Sequence, residues 1–189
     1  TGYCSLINGG YYYEPHMVDR ITNANGATVE NIEPRLLRQI ISESTSERIR
    51  QYCEAVVMRE NDTRITGRTA RPAGYAIAGK TGTAQTFDRD TGKRSQTAHV
   101  VSFIGHAPAD DPQIAIYVVV DRANASKQDQ ARFATGIVRN VLTEVLPYLN
   151  IYMTEELSEA EVKELQDLQL AITNQYTQTP EEEELDSIE

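Results

Sequence analysis

The residues best suited to chemistry lie in one short stretch, Tyr75–Gln85, which reads Tyr-Ala-Ile-Ala-Gly-Lys-Thr-Gly-Thr-Ala-Gln. Lys80 offers a cation, Thr81 and Thr83 offer hydroxyl groups, and Gly82 leaves the backbone bare. Because an apolar run leads directly into these groups, the pattern predicts a buried strand that carries them at its end. Two chemistries use such a set. A glycine-rich loop can bind phosphate, and a strand beside an acyl-transfer centre can hold a carboxylate.

The phosphate loop is the weaker interpretation, although Gly74 and Gly79-Lys80-Thr81 satisfy the spacing Gly-x-x-x-x-Gly-Lys-Thr. That motif needs a strand before its first glycine and a helix that begins at the lysine. Residues 67–73 make a poor strand, and the apolar run lies between the two glycines. A nucleotide-binding protein is therefore kept only as a remote alternative.

The acyl-transfer interpretation has a family context. A Lys-Thr-Gly strand is one of the motifs of the penicillin-recognising serine enzymes. The string Gly-Lys-Thr-Gly-Thr-Ala-Gln, with Ser-Phe-Ile-Gly-His-Ala-Pro-Ala-Asp-Asp-Pro at residues 102–112, resembles the C-terminal half of the transpeptidase domain of class B penicillin-binding proteins. The resemblance covers about residues 1–152. It implies a peptidoglycan D,D-transpeptidase that cross-links stem peptides outside the cytoplasmic membrane, is acylated by β-lactam antibiotics, and is anchored by an N-terminal segment absent from this chain.

The resemblance also implies a role for each residue of the strand. Lys80 would place positive charge near the substrate carboxylate and the acid–base network, and the hydroxyls of Thr81 and Thr83 would hold that carboxylate. Gly82 would let an extended substrate lie antiparallel to the strand. The backbone N–H of Thr83 would donate to the oxyanion, and Gln85 would line the substrate site. The family commonly has a Gly-Thr-Gly-like turn upstream, and Thr66-Gly67 matches it only in part.

The nucleophile of this chemistry is missing from the sequence. The family uses Ser-x-x-Lys, but no serine here has a lysine three residues later, and no Ser-x-Asn occurs. In the family's order both motifs lie upstream of Thr1. We therefore expect this chain to be inactive alone and to need the upstream half of the same domain as a partner. The resemblance further implies a glycosyltransferase or proteins of the division or elongation machinery as partners.

Two related functions stay open as alternatives: a serine β-lactamase, and a non-catalytic β-lactam sensor with the acidic tail as an interaction segment. The strings Ala84-Gln85 and Phe103-Ile-Gly105 favour the synthases over the β-lactamases. His16, His99 and His106 lack ligand spacing, so we expect no metal site, and no cofactor is implied.

Charge is concentrated at the C-terminal end of the chain. The formal net charge is -10, and from Thr154 onward there are twelve acidic residues and one lysine, against sixteen acidic and seventeen basic residues before it. The absence of a basic stripe argues against nucleic acid as a partner. We expect residues 1–152 to form the transpeptidase part. Residues 153–189 would form an acidic tail, with one short helix capped by Ser158 and Glu161 and disorder from Thr177.

The remaining patterns predict an α/β chain of the α+β type, in which helices flank an antiparallel sheet. Helices are expected over residues 1–8, from a cap at Ser44, Thr45 or Ser46 to about residue 60, and over 129–146. A hairpin is expected at residues 16–32, and a strand meander at 75–85, 99–107 and 113–121, with a polar loop at 87–97 and the last strand buried on both faces. The predicted buried faces are Ile49, Cys53, Val56 and Val57 in the second helix, and Phe133, Ile137, Val141 and Val145 in the third. A Cys4–Cys53 disulfide is left open.

Overall fold

The computed structural model describes residues 1–58 and 66–168 and shows mixed helices and antiparallel sheets, as the sequence predicts. In chain order its elements are α1 (Gly2–Ile7), β1 (Tyr11–Tyr13), β2 (Arg20–Thr22), β3 (Thr28–Asn31), β4 (Leu36–Gln39), α2 (Glu43–Met58), a short 3₁₀ helix (Arg68–Ala70), β5 (Ala78–Asp88), β6 (Lys93–Ala107), β7 (Ile114–Asp121), α3 (Arg132–Tyr148) and α4 (Glu159–Asp167). The chain forms two compact units, Thr1–Cys53 and Glu54–Glu189, and the boundary falls within α2.

The first unit contains two small antiparallel sheets. Strands β2 and β3 form the predicted hairpin, closed by a turn in which Gly26 has a positive φ of 80°. Strands β1 and β4 also pair, and neither was predicted. Helix α1 ends at Ile7, with Asn8 as its C-cap, and Gly9 and Gly10 follow with positive φ, which confirms the predicted helix stop.

The predicted cap of α2 is wrong by two residues. The helix begins at Glu43, and Ser42 Oγ accepts a hydrogen bond from Thr45 N at 3.2 Å. Ser46 lies inside the helix, where its buried hydroxyl donates to the carbonyl oxygen of Leu6 at 2.8 Å. Several hydroxyl residues in a row fit the cap equally well, so a tertiary contact decides which of them is buried.

The predicted apolar face of α2 is correct, although only Val57 is fully buried and Ile49, Cys53 and Val56 are half-buried. Cys4 is exposed and is not joined to Cys53 by a disulfide.

The second unit is built on the predicted meander, in the strand order β5-β6-β7. The polar loop expected at 87–97 is wrong, because β5 continues to Asp88 and β6 already begins at Lys93. Asp88 Oδ1 accepts hydrogen bonds from the backbone N–H groups of Asp90 and Thr91, and Gly92 has a φ of 65°. The extension is exposed and polar, so it lacks the apolar pattern by which a strand is recognised.

Two burial predictions in this unit are also wrong. Strand β7 alternates half-buried and exposed residues rather than being buried on both faces, and Tyr117 and Val119 are exposed. Only part of the predicted face of α3 is turned inward: Phe133 and Val145 are half-buried, whereas Ile137 and Val141 are 45% and 41% exposed. The helix is apolar on two adjacent stripes, so its periodicity does not decide which stripe meets the sheet. The fully buried stripe is shifted by one residue and consists of Ala134, Val138, Leu142 and Leu146.

The core of the second unit extends beyond α3. Met153 and Leu165 are buried in the same apolar cluster as Tyr75, Ile77 and Phe103. The predicted capping box of α4 is confirmed, since Ser158 and Glu161 exchange both hydrogen bonds. The disorder predicted from Thr177 lies outside the described residues.

Candidate functional site

Strand β5 carries all of the predicted site residues. It begins at Ala78, three residues later than the sequence pattern suggests, and its central residues pair with β6 in the register Lys80↔Ile104 to Thr83↔Val101. Within the described residues β5 pairs only with β6, so it forms one edge of the three-stranded sheet. This placement does not fit a phosphate loop, because Lys80 lies within a strand and not at the start of a helix.

The alternation of a strand separates the site residues into two sets. Lys80 and Gly82 point to one face, whereas Thr81, Thr83 and Gln85 point to the other. Lys80 and Thr83 are exposed, and the other three are half-buried. Lys80 Nζ donates a hydrogen bond to the backbone oxygen of Thr81 at 2.8 Å, which holds the ammonium group beside the strand.

Thr66, which the sequence indicated only as part of an incomplete Gly-Thr-Gly-like turn, is in contact with this strand. Thr66 Oγ1 lies 2.9 Å from Thr81 Oγ1, so the two hydroxyls share a hydrogen bond. The next residue, Gly67, is buried, and a Cβ there would lie 2.6 Å from the backbone oxygen of Val56. Close packing of Gly67 thus places Thr66 beside the strand. The partial Gly-Thr-Gly-like match at Thr66-Gly67 was the signal for it.

The two glycines of β5 differ in how closely other atoms approach them. A Cβ at Gly79 would lie 2.2 Å from Cζ of the Phe103 ring and 2.7 Å from the backbone oxygen of Ile104, so any side chain there collides with the core. A Cβ at Gly82 would lie 2.6 Å from Ser102 Oγ, which can rotate away. The fold therefore requires glycine at position 79. A side chain at position 82 would meet only the side chain of Ser102.

The histidines remain dispersed. His106 is buried, with Nε2 3.1 Å from the backbone oxygen of Ala109, and His99 is half-buried on the opposite face of β6. His16 is exposed in the first unit. In residues 1–58 and 66–168, no group of three or more His, Cys, Asp or Glu side chains is placed to hold a metal ion.

Comparison with known proteins defines the class. The profile of the penicillin binding protein transpeptidase domain matches residues 1–143. The chain belongs to this family, and the resemblance to the class B penicillin-binding proteins is confirmed.

Individual relatives agree with this assignment. Stage V sporulation protein D of Bacillus subtilis is 40% identical over 151 residues, covering 78% of this chain and 22% of that protein. Peptidoglycan D,D-transpeptidase MrdA of Haemophilus influenzae is 28% identical over 155 residues, covering 78% of this chain and 23% of that protein. The chain thus spans about a fifth of the length of the curated relatives it matches.

Solved structures show the same fold. Penicillin binding protein 3 of Mycobacterium tuberculosis in its apo form has a TM-score of 0.68 at 28% identity, covering 82% of this chain and 35% of that chain. Its complex with ampicillin has a TM-score of 0.69 at 27% identity, covering 82% and 34%.

None of the helices in the described parts of the chain has the length and apolar composition needed to cross a membrane.

Proposed function

We propose that this chain supplies the Lys-Thr-Gly wall of the active site of a peptidoglycan D,D-transpeptidase, which cross-links stem peptides and is acylated by β-lactams. The observation that carries the proposal is the edge strand β5, on which a cation, two hydroxyls and a glycine follow one another at residues 80–83. Relatives that bear the name peptidoglycan D,D-transpeptidase, and the ampicillin and aztreonam complexes of penicillin binding protein 3, support it.

The edge position of β5 suits an extended peptide, which would add to the sheet as an antiparallel strand. Thr81 and Thr83 lie on one face, so both hydroxyls would reach the same carboxylate, and Gln85 continues that face. Lys80 would supply the positive charge, and Gly82 would leave room for the substrate backbone. The N–H of Thr83 would complete the oxyanion site, where one donor is worth about 3–4 kcal/mol of transition-state stabilisation.

A half-domain upstream would supply the serine nucleophile, since no Ser-x-x-Lys occurs in this chain. This chain would then be inactive alone. Several apolar residues on β7 and α3 are exposed in this chain, among them Tyr117, Val119, Ile137 and Val141. Their exposure supports an upstream half that packs against them. Residues 1–152 would belong to the transpeptidase domain and 153–189 to its C-terminal extension. The whole protein would act outside the cytoplasmic membrane, anchored by an N-terminal segment, with a glycosyltransferase or division or elongation proteins as partners.

Intact-mass analysis after incubation with a penicillin tests the proposal. We expect this chain alone to keep its mass, and the upstream half to gain the drug's mass when the two are combined. Lys80→Ala should slow that acylation by about a hundredfold, because it removes a charge that acts on the transition state. Lys93→Ala, at the far end of the sheet, is the matched control and should leave the rate unchanged.

Three other outcomes of the penicillin experiment would contradict the proposed function. If this chain itself gains the drug's mass, it contains a nucleophile and the half-domain proposal fails. Rapid hydrolysis of the drug would indicate a β-lactamase. A stable acyl-enzyme with no cross-linking of stem peptides would indicate a sensor.

A further inference from the structure

The residues just before β5 are held by the segment that follows α3. The backbone N–H groups of Thr154 and Glu155 both donate to the carbonyl oxygen of Gly74, at 3.0 and 3.1 Å. Tyr75 Oη donates to the carbonyl oxygen of Ile151 at 3.0 Å. These bonds join residues 76 to 81 positions apart in the sequence, so they fix the position of the chain just before the site strand.

Side-chain packing strengthens the same junction. Gly74 has a φ of 76°, and a Cβ there would lie 2.7 Å from Met153 Sδ, so only glycine allows this approach. Met153 belongs to the core cluster that also contains Tyr75 and Ile77. The core of the second unit is therefore completed by residues that lie after position 143, where the match to the family profile ends.

An ion pair closes the junction. Arg71 Nη1 lies 3.0 Å from Glu161 Oε1, and Arg71 Nε donates to the carbonyl oxygen of Tyr75 at 3.3 Å. The two charged side chains are only 26% and 18% exposed, so water and salt screen the pair less than they would a surface pair. A second ion pair, Arg139–Glu164, joins α4 to α3.

The charge of Glu161 is favoured by this environment. Burial alone would raise the pKa of Glu161, but hydrogen bonds from Ser158 and the positive charges of Arg71 and Arg139 outweigh it and lower the pKa. Glu161 is thus ionised in the folded protein over a wider pH range than a carboxyl group in water.

We infer that residues 151–168, which we name the clasp, hold Lys80–Thr83 in position for the reaction. The clasp contacts residues 71–75 through the hydrogen bonds and the ion pair described above. The buried residues Ile77 and Ala78 lie between these contacts and Lys80. Few residues separate position 75 from Lys80, and they are closely packed. Weakening the contacts between the clasp and residues 71–75 therefore displaces the strand or increases its mobility. Arg71 and Glu161 are therefore positioning residues for the active site. This role rests on the proposed function, whereas the mechanical coupling does not.

Hydrogen exchange on the chain measures the mechanical coupling. Glu161→Gln removes the charge but keeps an amide that can still cap α4. We expect exchange at those Gly79–Thr83 amides that hydrogen-bond to β6 to become about fivefold to tenfold faster, since a partly buried ion pair contributes to local opening on this scale. Arg71→Gln should have the same effect, and the double variant should show no more than either single change.

The control is Glu156→Gln, an exposed carboxylate near Glu161 that makes no ion pair within residues 1–58 and 66–168. It should leave exchange in β5 unchanged. Unchanged exchange at Gly79–Thr83 in Glu161→Gln would overturn the inference. An equal acceleration throughout β5, β6 and α3 would also overturn it, because the ion pair would then serve only general stability.

Penicillin acylation of the domain reassembled with its upstream half separates the two proposals. We expect Glu161→Gln to slow acylation about threefold to tenfold, because the site strand is less well placed, and Glu156→Gln to leave the rate unchanged. If the unmodified domain is acylated and Glu161→Gln reacts equally fast, the clasp inference fails and the proposed function stands. If the unmodified domain is not acylated while exchange changes as expected, the proposed function fails and the coupling stands.

Discussion

Replacing Leu165 with alanine should lower the free energy of unfolding of the second unit by about 3 kcal/mol, within the range of about 2–5 kcal/mol for such a change in a core. Leu165 is 2% exposed and lies in the core cluster of the second unit, so the substitution removes apolar contacts and leaves a cavity. Helix propensity does not offset this cost, because leucine and alanine are both good helix formers.

Leu168 provides the matched control at the end of the same helix. Its side chain is 54% exposed, so Leu168→Ala should change stability by no more than about 0.5 kcal/mol. Both variants remove the same atoms, and their difference therefore isolates the contribution of burial.

Urea unfolding followed by far-UV circular dichroism measures both variants, because the chain has no tryptophan for fluorescence. Hydrogen exchange at the Val101 and Phe103 amides reports directly on the unit that contains Leu165. The two variants should differ in transition midpoint but share one slope with the unmodified chain. If Leu165→Ala costs less than about 1 kcal/mol, or no more than Leu168→Ala, the packing of α4 into the core is refuted.

Three further predictions concern the strand and its surroundings. Gly79→Ala should destabilise the second unit by about 1–3 kcal/mol because its Cβ collides with backbone and ring, whereas Gly136→Ala, in open space on α3, should stabilise it by up to about 1 kcal/mol; urea unfolding measures both. Thr66→Val should slow penicillin acylation of the reassembled domain by about twofold to tenfold, the worth of one hydrogen bond, while Thr66→Ser retains the rate. Glu161 has a pKa below its ordinary value of 4.5, so its stabilising contribution is complete above that pH and is lost as the pH falls through the lower, folded value; pH-dependent unfolding should show this loss in the unmodified chain and not in Glu161→Gln.

Each of these predictions has a result that contradicts it. Normal stability of Gly79→Ala would mean that the strand does not pass so close to Phe103. Equal acylation rates for Thr66→Val and Thr66→Ser would mean that the hydroxyl of Thr66 does not support Thr81. The same loss of stability below pH 4.5 in Glu161→Gln and in the unmodified chain would show that other carboxyl groups account for it.

The sequence predicted the parts of the fold in which neighbouring residues carry the signal. Strand β5, the hairpin β2–β3 and the meander follow from apolar runs separated by turn residues, and the structure confirms them. Lys80–Thr83 were recognised because they form one continuous motif, which few kinds of site contain. The structure places these residues together on one edge strand. Their catalytic roles stay predictions.

Only the tertiary structure determined which of several locally equivalent arrangements is used. The periodicity of α3 allows either of two apolar stripes to be buried, and packing against the sheet selects the stripe of Val138 and Leu142. Other contacts join residues that are separated in the sequence. Thr66 hydrogen-bonds to Thr81, and Met153 and Glu161 contact the chain before β5. A local pattern contains no information about such pairs, because their energies arise only once the chain has folded.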